Sequence, residues 1–180
     1  MNVMTTVTGT TMVYDPTAPS ENKTISRMKV GDFAGKIVGF VDNAKPNFDL
    51  LVQDMAKLLT EKYGAAEVII RKKRGASMPA EEAVTAELAK KCDVVITGMG
   101  DCGGCTTWSI HDGVTIARHG KPSLTVCSDA FQILGRAQAK GLGYPDLPIV
   151  LVEHPFGGRK RDEVRALAEK TLAEIVKVLH

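Results

Sequence analysis

From Lys36 onward, short apolar runs alternate with segments whose apolar residues recur every three or four positions. The runs Ile37–Val41, Glu67–Arg71, Asp93–Gly98, Lys121–Cys127 and Pro148–Glu153 have the length and the turn-forming borders of buried strands. Between them, helical spacing predicts helices from about Pro46 to Tyr63, Pro79 to Lys91, Thr106 or Thr107 to His119, 129 to 141, and 158 to 179. Gly64 and Gly120 supply helix stops, and Pro46 supplies a start. Residues 1–35 are rich in Thr, Pro, Asn, Ser and Gly without a sustained period, so they read as an irregular N-terminal arm.

Five apolar strands that each lead into a helix require right-handed crossovers, hence a mostly parallel sheet covered on both faces. The expected fold is therefore a single-domain, doubly wound α/β unit over 36–180, flavodoxin-like or Rossmann-like, with five strands. Ligands in such folds bind beyond the carboxyl ends of the strands, where strand order reverses. The residues just after each strand are thus the first place to look for chemistry.

Composition narrows the classes. The chain has 180 residues, 44% of them hydrophobic and 24% charged, as an ordinary globular domain does. Its formal net charge of +2 argues against nucleic acid as a partner. No apolar run reaches the ~20 residues of a membrane span, and the N-terminus lacks the order of a signal peptide, so a cytoplasmic protein is expected, with no membrane partner. Four cysteines in that setting read as thiols or ligands rather than as a disulfide framework. Neither a Rossmann glycine fingerprint nor a P-loop is present, and no cofactor is expected.

The rim positions are strongly polar and reactive: Asp42, Asn43 and Lys45; Lys72 and Lys73; Asp101, Cys102 and Cys105; Cys127, Ser128 and Asp129; and His154. The centre of interest is Gly100-Asp101-Cys102-Gly103-Gly104-Cys105-Thr106. Its CxxC spacing puts two sulfurs within bonding reach, and a helix starting near Thr106 aims free N–H groups at them, which favours a thiolate. Gly103 and Gly104 permit positive φ and close approach of the backbone to a substrate or a developing negative charge. CxxC also occurs in zinc sites, and His111 or His154 with Cys127 could complete one in space, although no second CxxC exists.

His154, followed by Pro155-Phe156-Gly157-Gly158, can pass protons at the rim. His111 either faces the thiols or bonds a backbone carbonyl, and Asp101 is a proton carrier or a loop former. Asp42, Asn43 and Lys45 either orient a polar substrate or form an Asx turn with the lysine in solvent. Cys127 either packs or supports the site together with Ser128. Cys92, at a helix-to-strand junction, reads as a core residue, and Trp108 as a packing residue.

Several stretches carry a resemblance: Asp15-Pro16-Thr17-Ala18-Pro19, Asp42-Asn43-Ala44-Lys45-Pro46-Asn47, Gly100 through Asp112, and His154-Pro155-Phe156-Gly157-Gly158. Through them the chain resembles the UGSC family, bacterial selenoproteins and their cysteine homologues with a selenocysteine-Gly-Ser-Cys motif. The resemblance implies an attacking chalcogen at Cys102 and a resolving thiol at Cys105, with Gly104 standing where serine is usual. It also implies reductive or nucleophilic attack on a small polar substrate.

The expected function is thus a thiol-dependent oxidoreductase: catalytic Cys102, Cys105, His154, Asp101 and His111, substrate contacts from Asp42, Asn43, Lys45, Gly103, Gly104, Thr106, Cys127 and Ser128, and an external thiol reductant. The alternatives are a non-redox lyase, hydratase or hydrolase with Cys102 as nucleophile, and a partner protein whose cysteines hold a metal. A homo-oligomer, with the arm covering a neighbouring subunit, fits the composition.

Overall fold

A computed structural model describes residues 30–179 of the chain. The arm over 1–29 and its Asp15–Pro19 stretch lie outside the described residues, and residues 30–35 hold neither helix nor strand. The elements alternate as β1 (Ile37–Asp42), α1 (Phe48–Glu61), β2 (Glu67–Lys72), α2 (Glu82–Lys91), β3 (Val94–Gly100), α3 (Gly103–Arg118), β4 (Ser123–Ser128), α4 (Gln132–Gly141), β5 (Ile149–Val152) and α5 (Arg161–Leu179). A short 3-10 turn over Asp129–Phe131 leads into α4.

All five strands are parallel, in the order β2-β1-β3-β4-β5. That order is the flavodoxin-like variant of the doubly wound sheet, and its reversal lies between β1 and β3. One face packs against α1 and α5 through Phe40, Phe48, Leu51, Met55, Ile96, Val126, Leu172 and Ile175, all fully buried. The other face carries α2 through Val41, Leu88, Cys92 and Val95, and α3 with α4 through Ile110, Val114, Cys127 and Ala139. Strands closed on both faces explain the continuous apolar runs that the sequence displays.

The differences from the expected elements have local causes. Pro46 and Pro79 precede their helices instead of opening them, since α1 starts after Asn47 in the left-handed region (φ 70°) and α2 after Glu81. β3 runs two residues past Gly98 because Met99 and Gly100 stay in the sheet, with a shift of register against β4 between Thr97 and Gly100. A Cβ on Gly100 would stand 2.6 Å from Cys127 Sγ and 3.0 Å from Thr106 Oγ1. Glycine there lets β3, β4 and the first turn of α3 meet at the rim.

Candidate active site

Helix α3 begins at Gly103, not near Thr106, and its N-cap is Cys102. The Cys102 sulfur takes the place of a capping oxygen by accepting the Cys105 N–H at 3.1 Å. Thr106 is already inside the helix; its hydroxyl donates to the Cys102 carbonyl at 2.7 Å and is fully buried. Gly103 and Gly104 are the first helical residues, so the expected positive φ does not occur at either. Gly104 serves a different purpose: a Cβ there would stand 2.6 Å from Ser77 Oγ, so the β2–α2 loop sits directly on the CxxC turn.

Cys102 and Cys105 are joined as a disulfide. Cys102 is partly exposed and Cys105 is buried. An incoming group therefore meets Cys102 first.

Asp101, the last residue before the cap, organises the surroundings. Its Oδ1 accepts from His154 Nδ1 at 2.9 Å and from the Phe156 N–H at 3.3 Å, and its Oδ2 from the Gly157 N–H at 3.1 Å. Lys45 Nζ stands 3.6 Å from Oδ2. Burial pushes the carboxyl upward, but the Gly157 N–H, the Ser128 hydroxyl, the Phe156 N–H and Lys45 outweigh it, so the net shift is downward and Asp101 stays ionised at neutral pH. A carboxylate in that position accepts the hydrogen bond of the His154 Nδ1–H and leaves Nε2 as the free nitrogen. Among the described residues Nε2 makes no hydrogen bond. The imidazole is further held by Ser128 Oγ at 3.2 Å from Nδ1 and by the edge of the Phe131 ring, 5.7 Å between centroids.

Asn47, which closes the Asp42–Asn47 stretch but carries no expected role, ties this arrangement together. Its amide donates to the carbonyls of Gly157 and Arg159, at 3.2 and 2.8 Å, and so fixes the His154–Arg159 loop to the start of α1. Asp42 and Asn43 are turned back onto the backbone. Asp42 accepts the Ala44 N–H, Asn43 accepts the Lys45 N–H, and the Asn43 amide bonds Met99 O and Ser109 Oγ. They form the Asx turn, both buried, and that turn presents Lys45.

Ser128 is fully buried, with its hydroxyl on Gly100 O and His154. It supports the imidazole and has no open face. Cys127 is likewise sealed, and burial pushes its thiol up to about 12, so it packs and does not reach the rim. Burial, followed by the charges of Asp93 and Glu67, pushes Cys92 up to about 11. His111 lies on α3, about 9 Å along the axis from Cys105, against Trp108. No hydrogen bond among the described residues joins its ring to the cysteines, Asp101 or His154.

A second unforeseen residue is Asp112. Its Oδ2 accepts from Lys73 Nζ at 2.6 Å and its Oδ1 from the Ala80 N–H at 2.8 Å, clamping both ends of the loop that carries Ser77. Lys73 and Asp112 have side chains only 1% and 2% exposed. The spacing of Cys105, Ser109 and Asp112 places them on one face of α3, the signal that could have exposed Asp112. Among the described residues, no group of three or more His, Cys, Asp or Glu side chains is arranged to hold a metal ion. Nor is any described helix long and apolar enough to cross a membrane.

Fold and rim together define a flavodoxin-like α/β domain with a CxxC pair at its switch point. A family model described as the UGSC family matches residues 12–180, and the chain belongs to that family. No curated protein matches it. Among solved structures, it is similar to a histidine-to-asparagine mutant of a flavo di-iron protein from Thermotoga maritima, at 15% identity and a TM-score of 0.46. That alignment covers 82% of this chain and 37% of the other, so the chain spans little more than a third of that protein's length.

Proposed function

We propose that this protein is a thiol-dependent oxidoreductase acting on a small polar substrate, with Cys102 as nucleophile and Cys105 as resolving thiol. The observation that carries the reading is the asymmetry of the pair: Cys102 is partly exposed and capped by the Cys105 N–H, while Cys105 is buried behind it within bonding distance. The first step is attack of the Cys102 thiolate on a substrate R–Y. A bond from sulfur to R forms, and Y departs with its electron pair and takes the proton that the Cys102 thiol gave up to His154 Nε2 on becoming a thiolate. Cys105 then attacks Cys102 Sγ, and R departs with the electron pair of the broken bond and takes up a proton.

The substrate has then gained two electrons and two protons, giving R–H and H–Y, and the protein holds the disulfide. R must be able to carry the pair, as sulfur or a carbon beside a carbonyl does. An external dithiol reduces the disulfide and is itself oxidised. Asp101 holds the imidazole in one orientation.

The Asp101–His154 pair also supports a second reading, a non-redox lyase, hydratase or hydrolase in which Cys105 has no chemical part. Cys105→Ser separates the two. Under the redox reading it stops multiple turnover and leaves one adduct trapped on Cys102, visible as an added mass; full turnover in this variant removes the redox reading.

A further inference from the structure

Asp101, His154 and Lys45 cluster at the rim beside the CxxC turn. Asp101 is enclosed, its side chain 5% exposed and its two oxygens occupied by His154, Phe156 and Gly157. Lys45 differs. Its ammonium lies 3.6 Å from Asp101 Oδ2, within ion-pair range but too far for a hydrogen bond, and its side chain keeps 19% exposure. Among the described residues its three N–H donors have no acceptor. The stem is enclosed while the ammonium reaches solvent, so its donors are open to an anionic ligand at the rim.

The surroundings hold that side chain in place. The Asx turn fixes its backbone, and a Cβ on Gly157 would come within 3.2 Å of Lys45 Cε, so the loop lies close along its stem. Of the other cations, Lys72 is exposed at the end of β2, and three are already occupied. Lys73 is buried on Asp112, Arg159 is bonded to Glu153 and the Pro155 carbonyl, and Arg161 is bidentate on Asp54. One compact point charge, partly offset by Asp101, suits a single negative charge better than a phosphate dianion.

We propose that Lys45 binds the carboxylate of a small organic acid and so places the substrate against Cys102. This rests on the reading of Cys102 as nucleophile and adds the substrate class to it. Asp101 directly precedes Cys102, so the Lys45 ammonium and the nucleophile stand at the same carboxyl edge of β3.

The test uses two alkylating probes of nearly equal size, iodoacetate and iodoacetamide, on the full-length reduced protein. The rate of modification at Cys102 is followed by mass spectrometry. The ratio of the iodoacetate rate to the iodoacetamide rate is expected to fall by about tenfold in Lys45→Gln, the effect of losing one charge-assisted contact, and to survive in Lys45→Arg. An unchanged ratio in Lys45→Gln overturns the carboxylate site and leaves the nucleophile standing. Failure of both probes to modify Cys102 in the unaltered protein brings down the nucleophile and this proposal together. Should Lys45→Gln not fold, protection of the unaltered protein by acetate but not by acetamide supports the site, and equal protection or none rejects it.

Discussion

The four cysteines form two pairs that share a side chain and little else. Cys92 and Cys127 are sealed in apolar clusters on one face of the sheet, with thiols pushed up to about 11 and about 12. Cys102 and Cys105 sit at the opening of α3, bonded to each other, with a backbone N–H on the first sulfur and an ionised carboxylate next door. Cys127 lies one residue before the end of β4, below the same rim and fully buried. The difference teaches that depth and the direction of nearby N–H groups, not the residue type or its place after a strand, decide which thiol is chemically available.

The sharpest way to break this contrast is to disable the groups that serve only the open pair. His154→Gln is expected to lower turnover by roughly 10²–10⁴-fold, the usual contribution of a positioned acid or base, with thermal stability little changed. Turnover unaffected by this change would detach the imidazole from the open pair.

Next in size is the clamp beneath the CxxC turn. Removing Asp112 as Asp112→Ala leaves Lys73 as an uncompensated buried charge, which typically costs about 3–5 kcal/mol. Denaturant unfolding measures it, and a loss below ~1 kcal/mol would mean that the pair behaves as though exposed. The closed pair can be probed by packing alone. A Cβ on Gly39 would stand 2.8 Å from Cys92 Sγ, so Gly39→Ala should destabilise by about 1–3 kcal/mol. Combining it with Cys92→Ala should recover part of that loss. Strict additivity would show that Cys92 is not the obstacle.

The last effect is absent at neutral pH and appears only in alkaline conditions. Both buried thiols ionise at higher pH in the fold than in the unfolded chain, so the unfolded chain loses its protons first and stability falls as pH rises. The loss begins near the free thiol value of ~8.5 and continues toward about 11, where Cys92 ionises in the fold. Cys92→Ala and Cys127→Ala should each flatten that slope; an unchanged slope would assign it to other groups.

Much of this was legible in the chain, because strands buried on both faces and helices with one apolar side leave periodic traces. The alternation of elements gave the parallel sheet, and the position after β3 marked Cys102 and Cys105. What stayed hidden depends on which way a side chain turns. Asp42 and Asn43 share a rim position with Lys45, yet their short polar side chains fold back onto their own backbone, while the long lysine reaches Asp101. Asn47 and Asp112 act across more than thirty residues of sequence on loops that no local pattern brings near them. A sulfur as N-cap escaped notice because Ser, Thr, Asp and Asn are the residues that signal a helix start. Thr106 looked the better cap for that reason.

The most direct test of the central claim is alkylation of the reduced, folded protein across pH, with each cysteine followed separately by mass spectrometry. Cys102 should be modified first and reach half its maximal rate below the pH at which a free thiol does, with Cys92 and Cys127 untouched until the fold is lost. Equal modification of all four cysteines, or a Cys102 profile no different from that of a free thiol, would contradict the account.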